Sequence, residues 1–517
     1  LSFDRGDGND KFYGKTKAVA VWKEALSDQE LADLTYPTPT FPTFTLDFNT
    51  IAEQFTFARG SEATYVDAQG LIKSTNVLGS ELVLNGNFSS DTDWVKGTGT
   101  TISGGTANFS SAGSIGLYQN IGTQTGYVKV EFTVTSYTSG TLNVYSGSNQ
   151  SVGNINVSAN ALGTYTAYVD RTGGNVNIVF GSSDNFIGSI DNVSIKEVIT
   201  ATNTPRLDYS TGAEAFLLEP QSTNLFTYSE LFSNSSWLKS QATATLTSEI
   251  SPSGTTNNVY NYVGNDANIY TTSQAINIEY TISCYVKSNG QGKDTFTLRL
   301  GNDRSGVFTA TSEWKRYSFT HTPTTSVFSI STNALLDADI LIWGAQLEQK
   351  SYATSYIKSE GSQTTRNQET CINATPEINS EEGTLYAEIA ALSNDLTFRT
   401  ITLSDGTTNN NVGFGYRNNS NVIYTFLQGV INSSSIVAVS DITSVNKIAI
   451  KYKSGDFSMF VNGIKVFTST TAFTLTGLNE LSFDNGAGAA NFFGNTKDVQ
   501  VYTKALSDAE LIKLTTI

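Results

Sequence analysis

The sequence predicts an all-β protein, a tandem array of β-sandwiches with short capping helices, and three observations carry that expectation. Only 15 % of the 517 residues are charged, aromatic residues reach 11 %, and Gly, Ser, Thr and Asn are abundant. That mixture suits sandwiches with polar outward positions and long turns better than helical domains. Short runs of β-branched and aromatic residues recur between turn signals. The chain also repeats itself twice. Its length allows about three or four domains.

The first repeat joins the two ends. Leu1 to Thr35 align without a gap onto Leu481 to Thr515, and by direct count 20 of the 35 positions are identical. The later copy closes a domain of about 140 residues, a normal size for one core. Residues 1–36 are therefore expected to be the C-terminal remnant of an upstream domain, needing strands from missing sequence or from another subunit. In each copy a strand (Val19 to Trp22; Val499 to Tyr502) leads into a short helix. Ser27 with Glu30, and Ser507 with Glu510, have the spacing of a capping box, and Leu26 with Leu31, and Leu506 with Leu511, that of a hydrophobic staple.

Residues 37–78 are expected to form an extended linker and connecting segment, because Pro37, Pro39 and Pro42 fix φ and remove backbone donors. The second repeat relates 79–200 to 222–360. Each has an early Phe and Trp (Phe88 and Trp94; Phe232 and Trp237), a central Tyr-rich strand pair, and an alternating last strand such as Ile190, Val193 and Ile195. That alternation predicts a half-buried edge strand. Residues 201–221 are expected to be a connecting segment and 361–376 a linker. From 377 to 517, strands are predicted at Thr384 to Ala390, Val412 to Tyr416, Val422 to Leu427, Lys447 to Tyr452 and Phe457 to Val461, with a tight hairpin at Asn462-Gly463.

The order strand, V-N-G hairpin, F-x-G-x-x-x-D-V-x-V-Y and A-L-S-D-x-E-L over 377–517 resembles the laminin-G-like, concanavalin A-like sandwiches. The two middle modules resemble jelly rolls of the carbohydrate-binding type. The pieces between them, joined together, resemble a block found in structural proteins of tailed bacteriophages. Its matching residues are Arg59, Ala63-Thr64-Tyr65, Pro205-Arg206, Glu219-Pro220, Asn224-Leu225 and Ala353-Thr354-Ser355-Tyr356, with Gly60 a minor departure. On this resemblance the first jelly roll is an insertion between Asn76 and Asn203, of the kind a surface loop tolerates.

The residues offer little reactive chemistry. A single histidine, His321, argues against His-based acid–base or metal sites. No E-x-D-x-E run, G-x-S-x-G, phosphate loop or dinucleotide fingerprint occurs. Asp337 and Asp339 share a strand face but read as solvated turn residues. The chain is expected to be no enzyme and to require no cofactor. Cys284 and Cys371 are expected to be free thiols, the first in a strand and the second in a polar linker. A net charge of −16 disfavours nucleic acid and anionic lipid as partners. No apolar run approaches the roughly 20 residues of a membrane-spanning helix.

Sugar binding is the remaining chemistry, since pyranose C–H faces stack on aromatic rings. Trp94, Trp237, Trp314 and Trp343 are candidates, but Trp94 and Trp237 recur at one place in both modules and are expected to be buried core. Tyr118, Tyr145, Tyr165 and Tyr168 are candidates for lining a concave face. Jelly rolls of this resemblance often hold a structural calcium, for which Asp191 and the neighbourhood of Asn87 stand at the matching place. The loop Asp4 to Asp10 is rich in carboxylates, but its later copy has lost most of them. Its Arg5-Gly6-Asp7 is read as coincidence.

The resemblances imply an extracellular virion appendage, a tail fibre or receptor-binding protein. It would recognise host cell-surface polysaccharide through several weak contacts multiplied by copy number. Partners would be other virion proteins and two further copies in a homotrimer, with no membrane insertion. The alternatives are a structural head fibre, capsid decoration or spacer, or a secreted bacterial adhesin or glycan-binding module.

Overall fold

The computed structural model describes residues 41–122, 126–147, 157–171, 176–272, 274–332, 337–427 and 430–517, with isolated positions before 41. The chain divides into Leu1–Pro42 and Thr43–Ile517. The remnant expected at 1–36, with its first capping box and its Arg-Gly-Asp loop, lies outside the described residues apart from scattered positions.

From Thr43 onward the chain is three β-sandwiches. In the C-terminal one, the larger antiparallel sheet runs Arg206–Asp208, Ala215–Leu218, Gly494–Tyr502, Glu382–Ala391, Asn446–Lys453, Phe457–Val461, Ile464–Ser469. Phe44–Thr45 also pairs with its Gly494–Tyr502 strand. The facing sheet runs Ile431–Ala438, Val422–Leu427, Asn411–Tyr416, Arg399–Ser404, Glu480–Ser482. Inward positions such as Leu385, Ile389, Ile448 and Val501 meet Ile401, Leu403, Phe414 and Leu481 in one core. All five strands predicted here are present. The hairpin forms at Asn462 and Gly463, whose φ values of 50° and 80° are those a two-residue primed turn requires.

The closing helix Asp508–Thr515 begins as its sequence requires. Ser507 Oγ accepts from Glu510 N at 3.3 Å, and Ser507 N donates back to Glu510 Oε2 at 2.8 Å. Leu506 and Leu511 then bury against Tyr386, Phe460 and Tyr502 on the outer face of the larger sheet.

The first jelly roll fills the interval expected for an insertion. One sheet runs Gly163–Asp170, Tyr127–Ser139, Phe186–Ile199, Thr106–Ala112, Thr100–Ser103. The other runs Val157–Ala159, Leu142–Ser146, Asn177–Gly181, Leu117–Asn120, Val95–Lys96. The expectation of an edge for the last strand is corrected. Phe186–Ile199 is central, flanked by 127–139 and 106–112, and its alternation reflects one face on the core. The second jelly roll has the same plan, except that Val259–Thr271 crosses between layers. Tyr260 to Asn265 pair with Asp337–Glu348, while Asn268 to Thr271 pair with Phe328–Ser331.

The connecting segments are not linkers, and this is the largest correction. Thr56–Ala58 pairs with Thr370–Ile372, Ser222–Asn224 with Thr364–Arg366, and Thr64–Val66 with Ile72–Ser74. Phe55, Phe57, Phe216 and Cys371 enter the core of the C-terminal sandwich. Cys371, expected in a polar linker, is buried and free, as is Cys284. Burial pushes the Cys284 thiol up to about 12 and that of Cys371 well above its ordinary value. Asp337 and Asp339, expected in a turn, lie in the strand Asp337–Glu348, where Asp337 pairs with Lys293 at 2.8 Å and Asp339 accepts from Asn289 at 2.7 Å.

Where these segments meet, five charged side chains are buried together. Glu369 holds Arg59 at 2.7 Å through Oε1 and Arg206 at 2.5 Å through Oε2. Glu219 Oε2 holds Arg206 at 2.9 Å and Arg366 at 2.6 Å. Ser355 adds its N–H to Glu219 Oε1 at 2.8 Å and its hydroxyl to Oε2 at 2.6 Å. Arg59 also donates to Thr204 O, Arg206 to Thr64 O and Arg366 to Pro220 O, so backbone from residues 37–78 and 201–221 is drawn in. Glu348 closes one side, accepting from Ser222, Thr354 N and Thr354 Oγ1.

Burial alone raises the Glu219 carboxyl, but Arg366 and Arg206 overcome it and hold the group at about 2, below its ordinary 4.5. A depressed folded-state value means the stability it contributes is complete above about pH 4.5 and is lost as pH falls toward 2. Thermal midpoints are expected to drop across that window. Glu219→Gln should flatten the drop and cost about 3–5 kcal/mol at neutral pH, because it strands a buried guanidinium. Melting curves of both proteins between pH 2 and 7 check this; identical acid profiles would contradict it.

Candidate functional site

Each jelly roll buries one face of its shorter sheet and turns the other away from the core. In the first, Leu117, Val144, Leu142, Ile178 and Phe180 point inward. Period-two alternation therefore places Tyr118, Val179 and Tyr145 on the outer face. Register aligns them in a row, Val95↔Tyr118, Tyr118↔Val179 and Val179↔Tyr145. In the second jelly roll the corresponding row is Leu238, Tyr270, Ser329 and Arg299. Arg304 continues it, paired across the strands with Arg299.

Of the tyrosine candidates, Tyr118 and Tyr145 do share that outer face, but they differ in access. Tyr118 is half-buried, whereas Tyr145 is fully covered and donates its hydroxyl to Ser114 O. The concave-face expectation is corrected for the other two. Tyr165 points into the core, stacked on Phe132 with centroids 5.5 Å apart. Tyr168 lies on the opposite sheet beneath Lys358, whose Nζ is 4.5 Å from the ring centre. Sequence alternation separates 165 from 168 but does not say which of them is inside.

The tryptophans divide similarly. Trp94 and Trp237 are buried at 6 % and 3 % exposure, as expected of a shared core position. Each indole N–H reaches a backbone carbonyl nine residues earlier, Asn85 O at 3.0 Å and Tyr228 O at 2.8 Å. Each ring packs on the preceding Phe, Phe88 at 5.4 Å and Phe232 at 5.1 Å. Trp343 is also buried, between Tyr285 and Tyr356. Trp314 is only partly covered.

The second outer face carries functional groups that the sequence reading missed. Beneath it Thr297, Ser329 and Ser331 are fully covered and bonded within the sheet, with Thr297 Oγ1 and Ser331 Oγ 2.9 Å apart and Ser329 Oγ donating to Asn268 Oδ1 at 3.4 Å. Tyr270 and Leu238 stand at one side and the two arginines at the other. Arg299 Nε donates to Gly301 O at 2.6 Å and Arg304 reaches Thr332 O at 3.4 Å. Neither makes an ion pair with a carboxylate among the described residues. Burial and the neighbouring Arg304 lower the pKa of Arg299 from its ordinary value, without approaching neutrality. The hint available in the sequence was two basic residues five positions apart around Gly301-Asn302.

The calcium candidates sit in local turns. Asp191 Oδ1 accepts from Asn192 N at 2.7 Å and Asn87 Oδ1 from Ser89 N at 3.3 Å. Val193 N donates to Gly86 O at 2.8 Å, so the two segments do meet. Among the described residues no group of three or more His, Cys, Asp or Glu could hold a metal ion.

No family model matches the chain, and no curated protein matches it. Solved structures similar to parts of it include Ruminococcus gnavus IT-sialidase CBM40, at 21 % identity over 26 % of this chain and 84 % of that one, TM-score 0.23. Domain 4 of AbnA, an extracellular arabinanase from Geobacillus stearothermophilus in complex with arabinotriose, covers 32 % of this chain and 84 % of its own at 12 % identity, TM-score 0.24. The CBM22 tandem of Paenibacillus barcinonensis Xyn10C covers 58 % and 99 % at 10 % identity, TM-score 0.20. The sandwiches themselves are read directly from the strand pairings above.

If Trp94 and Trp237 are core anchors, replacing either with Ala costs its own module about 3–5 kcal/mol. Urea titrations followed by circular dichroism measure this. Near-native stability of both variants would return these rings to the list of sugar platforms.

Proposed function

We propose that this protein is a non-enzymatic, glycan-recognising attachment protein, and that it serves as a virion appendage of a tailed phage contacting host-surface polysaccharide. The observation that carries glycan recognition is the outer face of the second jelly roll. There a half-buried tyrosine and two partly exposed arginines, neither ion-paired to a carboxylate among the described residues, lie on one sheet. An aromatic ring offers stacking for a sugar's C–H face, and the guanidinium groups offer directional hydrogen bonds. Paired arginines favour sugars bearing a carboxylate or phosphate, which a guanidinium fork grips with two parallel bonds.

The first jelly roll presents a related but more apolar row with Tyr118 at its open end. Two faces on one chain, repeated in a homotrimer, would raise avidity through effective concentration without any single tight site. The phage assignment is supported by the block of connecting residues and not by the sugar face. Arg59, Arg206, Glu219 and Ser355, which belong to that resemblance, take part in the buried charge network, together with Arg366 and Glu369, which lie outside its matching residues.

Glycan-array and whole-cell binding by the recombinant chain test the reading. Tyr270→Ala and Arg299→Ala are each expected to weaken binding to the best acidic glycan about tenfold. They should leave the melting temperature within a few degrees of the parent. No glycan or cell bound at any accessible concentration would leave the chain as a spacer. Release of reducing sugar from host polysaccharide would overturn the non-enzymatic part.

A further inference from the structure

One cleft lies away from both outer faces. It has a volume of about 630 Å³, within the range of small-molecule sites, and its wall includes Trp314. The cleft exists only because a connecting segment docks on the second jelly roll. One wall is the hairpin of Thr64–Val66 and Ile72–Ser74, and the other is the loop from Ser248 to Pro252 with Tyr285 behind it. Ile72 N donates to Pro252 O at 2.9 Å, and Thr64 Oγ1 to Tyr356 O at 2.5 Å, so both walls are fixed by hydrogen bonds. The Trp314 indole N–H donates to Ile250 O at 2.9 Å, which sets the ring's orientation while leaving the side chain partly open.

We infer that this cleft is a second sugar subsite, specific for a neutral pyranose unit, with Trp314 as its stacking platform. The inference rests on the glycan-recognition reading above and adds to it a separate place and a different substrate class. Of the four tryptophans considered, Trp94, Trp237 and Trp343 are committed to cores, and Trp314 alone combines partial exposure with a cavity. Hydroxyl groups around a stacked ring need acceptors and donors at the rim, and the lining supplies Glu249, Glu313 and Gln69. Lys287 also lines it but is paired with Glu249 at 3.2 Å. Two carboxylates against one ammonium leave the cleft net negative. A sialic or uronic acid is therefore disfavoured here, the reverse of the arginine-lined face.

The test uses the full chain with a panel of neutral tri- and tetrasaccharides built on glucose, galactose, mannose and xylose, with sialyllactose as the acidic comparison. Saturation-transfer NMR and calorimetry read binding. Trp314→Ala is expected to weaken the best neutral ligand at least tenfold. Glu313→Gln, at the rim and therefore safe for folding, is expected to weaken the same ligand several-fold. Protons on one face of the bound sugar should show the strongest transfer.

Neutral binding undiminished in both variants, or a chain that binds only acidic glycans, would overturn the cleft while leaving the general reading in place. A chain that binds no saccharide of either kind would overturn both.

Discussion

The architecture depends on satisfying three arginines in a place without water. Arg59, Arg206 and Arg366 are each almost completely buried, and Glu369 and Glu219 lie between them as shared acceptors. Moving such groups out of water is costly, and the mutual attraction offsets that cost only when the remaining donors also find partners. Here most of them do, at Thr204 O, Thr64 O, Pro220 O and the Ser355 hydroxyl, while Arg366 Nε is left without a partner among the described residues. The geometry is demanding, so it selects one arrangement of the connecting segments.

That selection has mechanical content. The same segments supply strands to the C-terminal sandwich, form the wall of the Trp314 cleft and clamp the second jelly roll through Asn224. Asn224 Nδ2 donates to Ile357 O at 2.8 Å while its Oδ1 accepts from Leu347 N at 3.1 Å. The network is thus where two sandwiches that share no strand become one body. The first jelly roll leans on this body through Asn257 Nδ2, which donates to Thr164 O at 2.7 Å, and through Lys358 over Tyr168.

Long alternating strands were legible in the sequence, and short ones were not. Glu382–Ala391 and Asn446–Lys453 announce themselves because eight to ten residues of period-two pattern fix both type and face. Thr56–Ala58 and Thr370–Ile372 have three residues each and a polar surrounding, so they read as linker until their partner is known. The charge network was hidden for a related reason. Arg59 and Glu369 are 310 residues apart, and an isolated arginine normally signals surface. The block of matching residues marked Arg59, Arg206 and Glu219 but neither Arg366 nor Glu369, and supplied no physical cause. On the sugar-binding side, Tyr118, Tyr145, Tyr165 and Tyr168 are candidates for one face, and only the strand register shows that the first two share it, while what covers Tyr145 is tertiary. The arginines of the second face carry no periodic signature.

The junctions of the inserted jelly roll bear on how such chains diversify. Its first and last strands leave side by side, with Val77 opposite Ile199, and Asn203 is stitched to Arg59 by a reciprocal pair of hydrogen bonds just outside the module. The scaffold therefore closes on itself whatever occupies the gap. A different module at this point would meet the same closed frame on its inner side, and would have to replace only the contacts that Thr164 and Tyr168 make with Asn257 and Lys358.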